Sequence, residues 1–415
     1  MNGKLRQDAE IIVRQAIDAV RPDDGVRAAL KNMVFPGRIF LAAAGKAAWQ
    51  MACAAIHTLR QPVTRGVVVT KYGHVRHELP SVVCYEAGHP VPDENGLRGA
   101  QAVLDMTEGL RGEDTVLFLL SGGGSALFEK PLIPLDELQL MTDRLLASGA
   151  DITEINTIRK HLSAVKGGRF AQWSRPAHVH TIVLSDVLGN SLDMIASGPT
   201  AADPTTSAQA REIARRYGLP LSGEALRALE SETPKQLRNA TWEIIGSVKE
   251  LCRAAQEACW ELGYQPILIT DHMEGEAREA GRRLAELLKA RSRDGRRLAY
   301  IAGGETVVHL TGNGLGGRNQ ELALSAAQTL SGLPNASLIS VGSDGTDGPT
   351  DAAGGYVDGD TLCELERLGI DCNAALEEND SYHALGAIGN LVITGPTGTN
   401  VNDVAVGLIG QTAGG

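Results

Sequence analysis

Aromatic residues are scarce, at 4% of 415 positions, and no block of five or more like charges occurs. The formal net charge is −11. A nucleic-acid surface wants a basic stripe and stacking platforms, and this chain has neither. No run of 18 apolar residues exists, so no membrane-spanning helix is expected. The six cysteines, at 53, 84, 252, 259, 363 and 372, are scattered and form no CxxC. That pattern reads as reduced thiols in a cytoplasmic protein, not a disulfide frame or a zinc site. HxxxH and HExxH are also missing. The first 20 residues read as a charged amphipathic helix rather than a signal peptide.

What is abundant is glycine: 48 residues, against a usual share of about 7%. The excess falls after apolar runs, where backbone must turn tightly or approach a ligand. Hydrophobic residues at 43% and charged residues at 21% suit a globular chain of two or three domains. Strands are expected at 38–44, 66–70, 82–85, 115–120, 179–184, 243–246, 266–270, 297–302, 306–310, 337–342 and near 404–409. Helical patterns lie between most of them. Short apolar strands alternating with helices predict an α/β protein with parallel sheets covered on both faces. Residues 218–240 carry prolines and charge and no strand, which puts a domain boundary near 235/236. Two α/β domains are expected, 1–235 and 236–415, with a crevice between them.

In such sheets ligands bind beyond the carboxyl ends of the strands. The segment after 115–120 is Ser121-Gly122-Gly123-Gly124-Ser125, whose backbone amides could converge on a phosphate. It is no Walker P-loop, since GxxxxGK[ST] is absent. Lys46 directly follows the 38–44 strand, and Arg318 follows Gly316-Gly317 at a helix start; both suit anion contacts. The glycines at 312, 314 and 317 formally match a dinucleotide fingerprint. They follow a short strand, however, with no acidic residue about 20 positions on. Asp186, Glu305, Asp344, Asp347 and Asp351 all sit just past strands or within the following loops. Clustered strand-end acids are costly unless paired or metal-bound, and oxygen donors select Mg²⁺. Each piece also has a plainer reading: SGGGS as a tight turn, Lys46 as a solvated lysine, Arg318 as an ion pair at a helix start. Any single Asp can be a turn former, and Asp347, inside DGTDG, is read that way. His89 and His161 lie beside these motifs with core or surface roles equally open. Together the pieces suit Mg²⁺-dependent phosphoryl transfer to a small anion, which needs positioning and charge neutralisation.

The motifs, in order, are AAGKAA (43–48), GHPVPDENG (88–96), LSGGGSAL (120–127), INTIRKHLSAVKGGR (155–169), LSDVLGN (184–190), IASGPT (195–200), AGGET (302–306), GGRNQELAL (316–324), SDGTDGPTDAAGG (343–355) and TGPTGTNVND (394–403). Carrying them nearly end to end, the chain resembles the class II glycerate kinases. These are the glycerate 2-kinase family with a C-terminal MOFRL domain, some of whose members bear the older label hydroxypyruvate reductase. The resemblance implies ATP- and Mg²⁺-dependent conversion of D-glycerate to 2-phosphoglycerate. It implies an N-terminal Rossmann-like domain with a parallel sheet and helices on both faces. A smaller C-terminal α/β domain would hold the MOFRL region at about 297–410, with the active site in the cleft between the two.

The resemblance carries functional roles to Lys46 and Arg318, as catalytic and substrate-binding residues, with Asn319 and Glu305 beside the substrate. It sets Ser121 to Ser125, Asp186 and Asn190 on the nucleotide side; Mg²⁺ would be held by Asp186 and by an acid of 344–351, with Asp344 the first candidate. At Asn190 many relatives have an acid, so a ligand here would instead be Asp186 or Asp193. No general base is named. A homodimer is among the assemblies left open. Two rival readings are an NAD(P)H-dependent hydroxypyruvate reductase, which would need a complete fingerprint and a proton donor, and a non-catalytic small-anion sensor.

Overall fold

Residues 3–411 are described by a computed structural model, in which the chain divides into two units. One comprises residues 22–245 and the other residues 1–21 with 246–415.

The 22–245 unit holds β1 (Ile39–Ala44), β2 (Val63–Lys71), β3 (Val82–Ala87), β4 (Thr115–Leu120), β5 (His178–Leu184) and β6 (Ala240–Gly246) in the spatial order β3-β2-β1-β4-β5-β6. The pairings from β3 through β5 are parallel. Every residue of β1 and β4 is buried, so both faces of the sheet centre are covered. That explains why these strands read as unbroken apolar runs rather than alternating ones. Phe118 of β4 packs with Phe128 and Phe170, ring centroids 5.1 to 5.3 Å apart, which fixes the chain just beyond SGGGS.

The second unit holds β7 (Gln265–Met273), β8 (Leu298–Gly304), β9 (Ala336–Gly342), β10 (Gly354–Asp358), β11 (Leu391–Val392) and β12 (Asp403–Ile409) in the order β11-β10-β9-β12-β8-β7. β7 and β8 pair in parallel; β12 runs antiparallel between β8 and β9, and β10 antiparallel to β9 and β11. This sheet is therefore mixed, where parallel strands were expected. The expected strand at 306–310 is irregular chain with one bridge at Val307.

The division falls at Ile245/Gly246 rather than near 235/236. β6 belongs to the first sheet: the Val179 amide donates to Asn239 O, and the Thr241 hydroxyl bonds His178 and His180. The 218–240 stretch contains a helix, Gly223–Glu230. The first helix, Gly3–Ala19, joins the second unit because Asp8, fully buried on it, accepts from Tyr264 Oη (2.8 Å) and Arg297 Nη2 (3.1 Å). The six cysteines are unpaired, and among the described residues no helix is long and apolar enough to cross a membrane.

Candidate active site

In the 22–245 unit the strand order reverses direction between β1 and β4. Sheets of this kind open a crevice at that switch point, beyond the strand ends. Lys46 follows β1 there, and Ser121 to Ser125 follow β4. The two segments are stitched together. The Lys46 amide donates to Gly122 O (2.8 Å), the Ala47 amide to Ser121 Oγ (3.0 Å), and the Ser121 amide to Ala44 O (3.0 Å). Gly123 sits at φ +82°, a left-handed conformation natural to glycine, and starts the short helix Gly124–Leu127. Among the described residues, no hydrogen bond takes the amides of Gly122, Gly123 or Ser125. Lys46 is half-buried, and none of those residues bonds or ion-pairs its ammonium. Unspent amides beside an unspent ammonium make a receptor for an anion.

His89 faces the same turn. A Cβ placed on Gly123 would lie 2.9 Å from its Cδ2, 3.0 Å from its Nε2 and 3.3 Å from Lys46 Cγ. Burial, then the charges of Lys46, Lys71 and His74, push the His89 pKa down to about 4. The ring is therefore neutral at physiological pH.

The SGGGS turn is braced from beneath. The fully buried Lys166 ammonium donates to Ser125 O (2.8 Å) and Phe128 O (3.0 Å), and lies 3.5 Å from both Ala196 O and Glu129 Oε2. Burial pushes Lys166 down to about 8. It thereby ties SGGGS to the IASGPT turn, where Ala196 and Ser197 adopt positive φ (49° and 60°). Such backbone persists only where its surroundings fix it.

After β5, Asp186 is half-buried, and Asn190 (φ 55°) keeps a buried Oδ1 that has no hydrogen-bond partner among the described residues. Asp193 is held by Lys160 Nζ at 2.7 Å and by the Ser191 hydroxyl.

In the second unit, β12 begins where β8 and β9 end: Asp403 pairs with Gly304 on one side and Gly342 on the other. Arg318 opens the helix Arg318–Leu330 and meets this corner. Its Nε and Nη2 donate to the two Asp403 oxygens (2.6 and 3.0 Å), and its Nη1 to Glu305 Oε1 (2.6 Å). Burial alone would lower the Arg318 pKa, but the two carboxylates raise it above its ordinary value. Burial pushes Asp403 up to about 6, against the pull of the guanidinium.

Asn319, expected beside the substrate, is 2% exposed, and its side chain is spent internally. Its Nδ2 donates to Asp347 Oδ1 and its Oδ1 accepts from Ser340 Oγ. Its geometry is that of a brace, not of a ligand contact. Asp347 is also structural, though as a helix cap rather than a turn former: it accepts the amides of Asn319 and Gln320 (3.1 and 2.8 Å). Gly317 is obligatory there, since a Cβ would run into the Asp347 carboxylate and backbone. Asp344 is half-buried, its Oδ1 accepting from the Thr346 amide and hydroxyl, and Asp351 accepts from Tyr382 Oη. Gly312 and Gly314 press against the backbone of Glu378 and Asp380, and the Gly312 amide donates to Asn379 Oδ1. The apparent dinucleotide fingerprint is thus a packing motif.

Among the described residues, no group of three or more His, Cys, Asp or Glu side chains is placed to hold a metal by itself. Mg²⁺ does not need one, since it takes one or two carboxylates and completes its shell with water and phosphate.

Residues 8–230 match a family model described as a domain of unknown function, DUF4147, and residues 298–403 match the MOFRL family. D-glycerate 2-kinase of Thermotoga maritima is 52% identical over 98% of each chain. Glycerate 2-kinase of Pyrococcus horikoshii is 42% identical, covering 95% of this chain and 93% of that one. The crystal structure of a glycerate kinase from T. maritima superimposes with a TM-score of 0.95 at 51% identity, covering 98% of this chain and all of that one. With both regions in place and likeness running end to end, the chain belongs to the glycerate 2-kinase family that carries a MOFRL domain.

Proposed function

We infer that the protein transfers the γ-phosphoryl group of ATP to the 2-hydroxyl of D-glycerate, giving 2-phosphoglycerate and ADP. The observation that carries this reading is the β1/β4 switch point. There, three unspent amides of the Gly122–Ser125 turn and the unpaired Lys46 ammonium share one strand-end crevice. The end-to-end likeness to D-glycerate 2-kinase supports the substrate.

In-line transfer passes through a state with charge spread over the phosphoryl oxygens, and catalysis is mainly positioning and neutralisation. The SGGGS amides would hold nucleotide phosphate oxygens. Lys46 would neutralise the glycerate carboxylate or the moving phosphoryl group. Arg318 would do the same with one edge of its guanidinium. Asp403 grips the other edge from a buried position, whereas Glu305 is exposed and can be displaced by an anion. Asp186 and the Oδ1 of Asn190, which has no hydrogen-bond partner among the described residues, offer hard oxygen donors on one loop; Asp344, in the other unit, is by itself a separate carboxylate candidate. These residues fit Mg²⁺, which when bound would offset the negative charge of the nucleotide phosphates.

The test is ³¹P NMR of a reaction with D-glycerate, ATP and Mg²⁺. A phosphomonoester resonance coupled to the C2 proton is expected. A product phosphorylated at C3, or none at all, would overturn the reading.

A further inference from the structure

The reaction needs an acceptor for the proton on the attacking hydroxyl, and the three acids around Arg318 and its helix start are poor candidates. Asp347 and Asp403 are buried and tied to the helix start and to Arg318, while Glu305 is engaged by Arg318. His89 differs. It is half-buried at the β1/β4 crevice, its ring over Gly123 and next to the Lys46 side chain. Among the described residues, neither ring nitrogen has a hydrogen-bond partner. Its loop is fixed in place by Asp93, which accepts the amides of Gly88 and Gly96 (both 2.9 Å) and the Tyr72 hydroxyl (2.7 Å). Anchoring of that kind preorganises a group for reaction.

The charged and titratable groups facing His89 are Lys46 at the end of β1, Lys71 at the end of β2, and His74 in the turn beyond it. In that field the imidazole stays uncharged. A neutral ring adds nothing to charge neutralisation, which the lysines already supply. What it adds is a nitrogen lone pair, weakly basic while Lys46 and Lys71 are uncompensated; phosphates bound beside those lysines would offset their charge and raise its basicity.

Resting on the kinase reading above, we propose that His89 is the general base of the reaction, taking the proton of the glycerate 2-hydroxyl through a ring nitrogen. As the O2–P bond forms, the bond from the γ-phosphorus to the β–γ bridging oxygen breaks. ADP departs with that electron pair, and the hydroxyl proton passes to His89. The imidazolium, destabilised by Lys46 and Lys71, returns the proton to solvent once product leaves.

The experiment is single-turnover transfer from ATP to D-glycerate with wild type, H89A and H89Q. Each protein is first checked by circular dichroism and by ATP binding in titration calorimetry. Both variants are expected to bind ATP as wild type does and to transfer phosphate slower by a factor on the order of 10²–10⁴ at saturating substrate. Added imidazoles should restore H89A, the more basic ones faster. A variant rate within about twofold of wild type would overturn the proposal. So would a loss confined to KM, full activity in H89Q, or rescue indifferent to imidazole basicity. Should H89A not fold, H89Q decides by itself: a slow turnover with unchanged KM supports the base, and a wild-type turnover removes it. A wild-type protein inactive on glycerate would instead sink the kinase reading, and the base with it.

Discussion

Arg318 grips Asp403 with two nitrogens at 2.6 and 3.0 Å, and the Asp403 side chain is only 2% exposed. A bidentate pair of this kind fixes the plane of the guanidinium as well as its charge. The exposed Glu305 takes only the remaining Nη1.

The two carboxylates should therefore behave differently. D403N is expected to lower kcat/KM on the order of 10²-fold, because Arg318 loses its anchor while staying charged. E305Q removes an exposed pair worth roughly 0–1 kcal/mol, so a change below about fivefold is expected. Steady-state kinetics on both variants checks this; equal losses would mean that the exposed contact matters as much as the buried one.

Lys46 and Arg318 are expected to act on the transferring group. K46A and R318A should each cost on the order of 10²–10³ in rate. R318K should not recover the loss, since an ammonium cannot make the bidentate grip on Asp403. Near wild-type kcat/KM in both alanine variants would remove them from the chemistry.

Gly123 holds φ +82° with His89 and Lys46 against it. G123V puts a branched side chain into a conformation that costs about 1–3 kcal/mol and into space those residues fill. The nucleotide KM is expected to rise sharply while circular dichroism stays as in wild type. An unchanged KM would take the phosphates off this turn.

Lys166 offers a stability test beneath the same turn. K166M leaves Glu129, 1% exposed, as a buried charge without its cation. Urea unfolding is expected to show a loss of about 3–5 kcal/mol. E129Q added to K166M should recover part of it.

Asp114 gives the pH dependence. The Arg38 guanidinium (3.0 and 2.7 Å), then the Arg111 amide (2.8 Å), hold its carboxyl down at about 2. The folded value lies below the unfolded one of about 3.9. Its stabilisation is therefore complete above that unfolded value and is lost as pH falls toward 2. D114N should cost about 1–3 kcal/mol at pH 7. The gap to wild type should close over that acid window in urea melts.

Much of this was legible in the residues. The apolar runs located β1, β4, β5 and β9, because strands buried on both faces cannot alternate. The residues past β1 and β4 drew attention to Lys46 and SGGGS as anion-binding candidates, and the glycines before a helix start drew it to Arg318. Orientation was not legible: nothing in DVAVGLI says that β12 runs antiparallel between its neighbours. That reversal is what brings Asp403 to the ends of β8 and β9, so its grip on Arg318 went unseen. β10 was missed because it opens on Gly354-Gly355 after a turn-rich segment and spans only five residues. The first helix gave no hint that Asp8 would be buried against Tyr264 and Arg297, 256 and 289 residues away. The resemblance set Asn319 beside the substrate, but its side chain is held by Asp347 and Ser340, which only the folded chain brings near.

The most direct test of the central claim is an assay with D-glycerate, ATP and Mg²⁺, coupled through enolase, pyruvate kinase and lactate dehydrogenase, with phosphoglycerate mutase left out. NADH loss that depends on added enolase is the expected result and identifies 2-phosphoglycerate as the product. Signal that appears only after mutase is added would mean 3-phosphoglycerate, and would contradict the account.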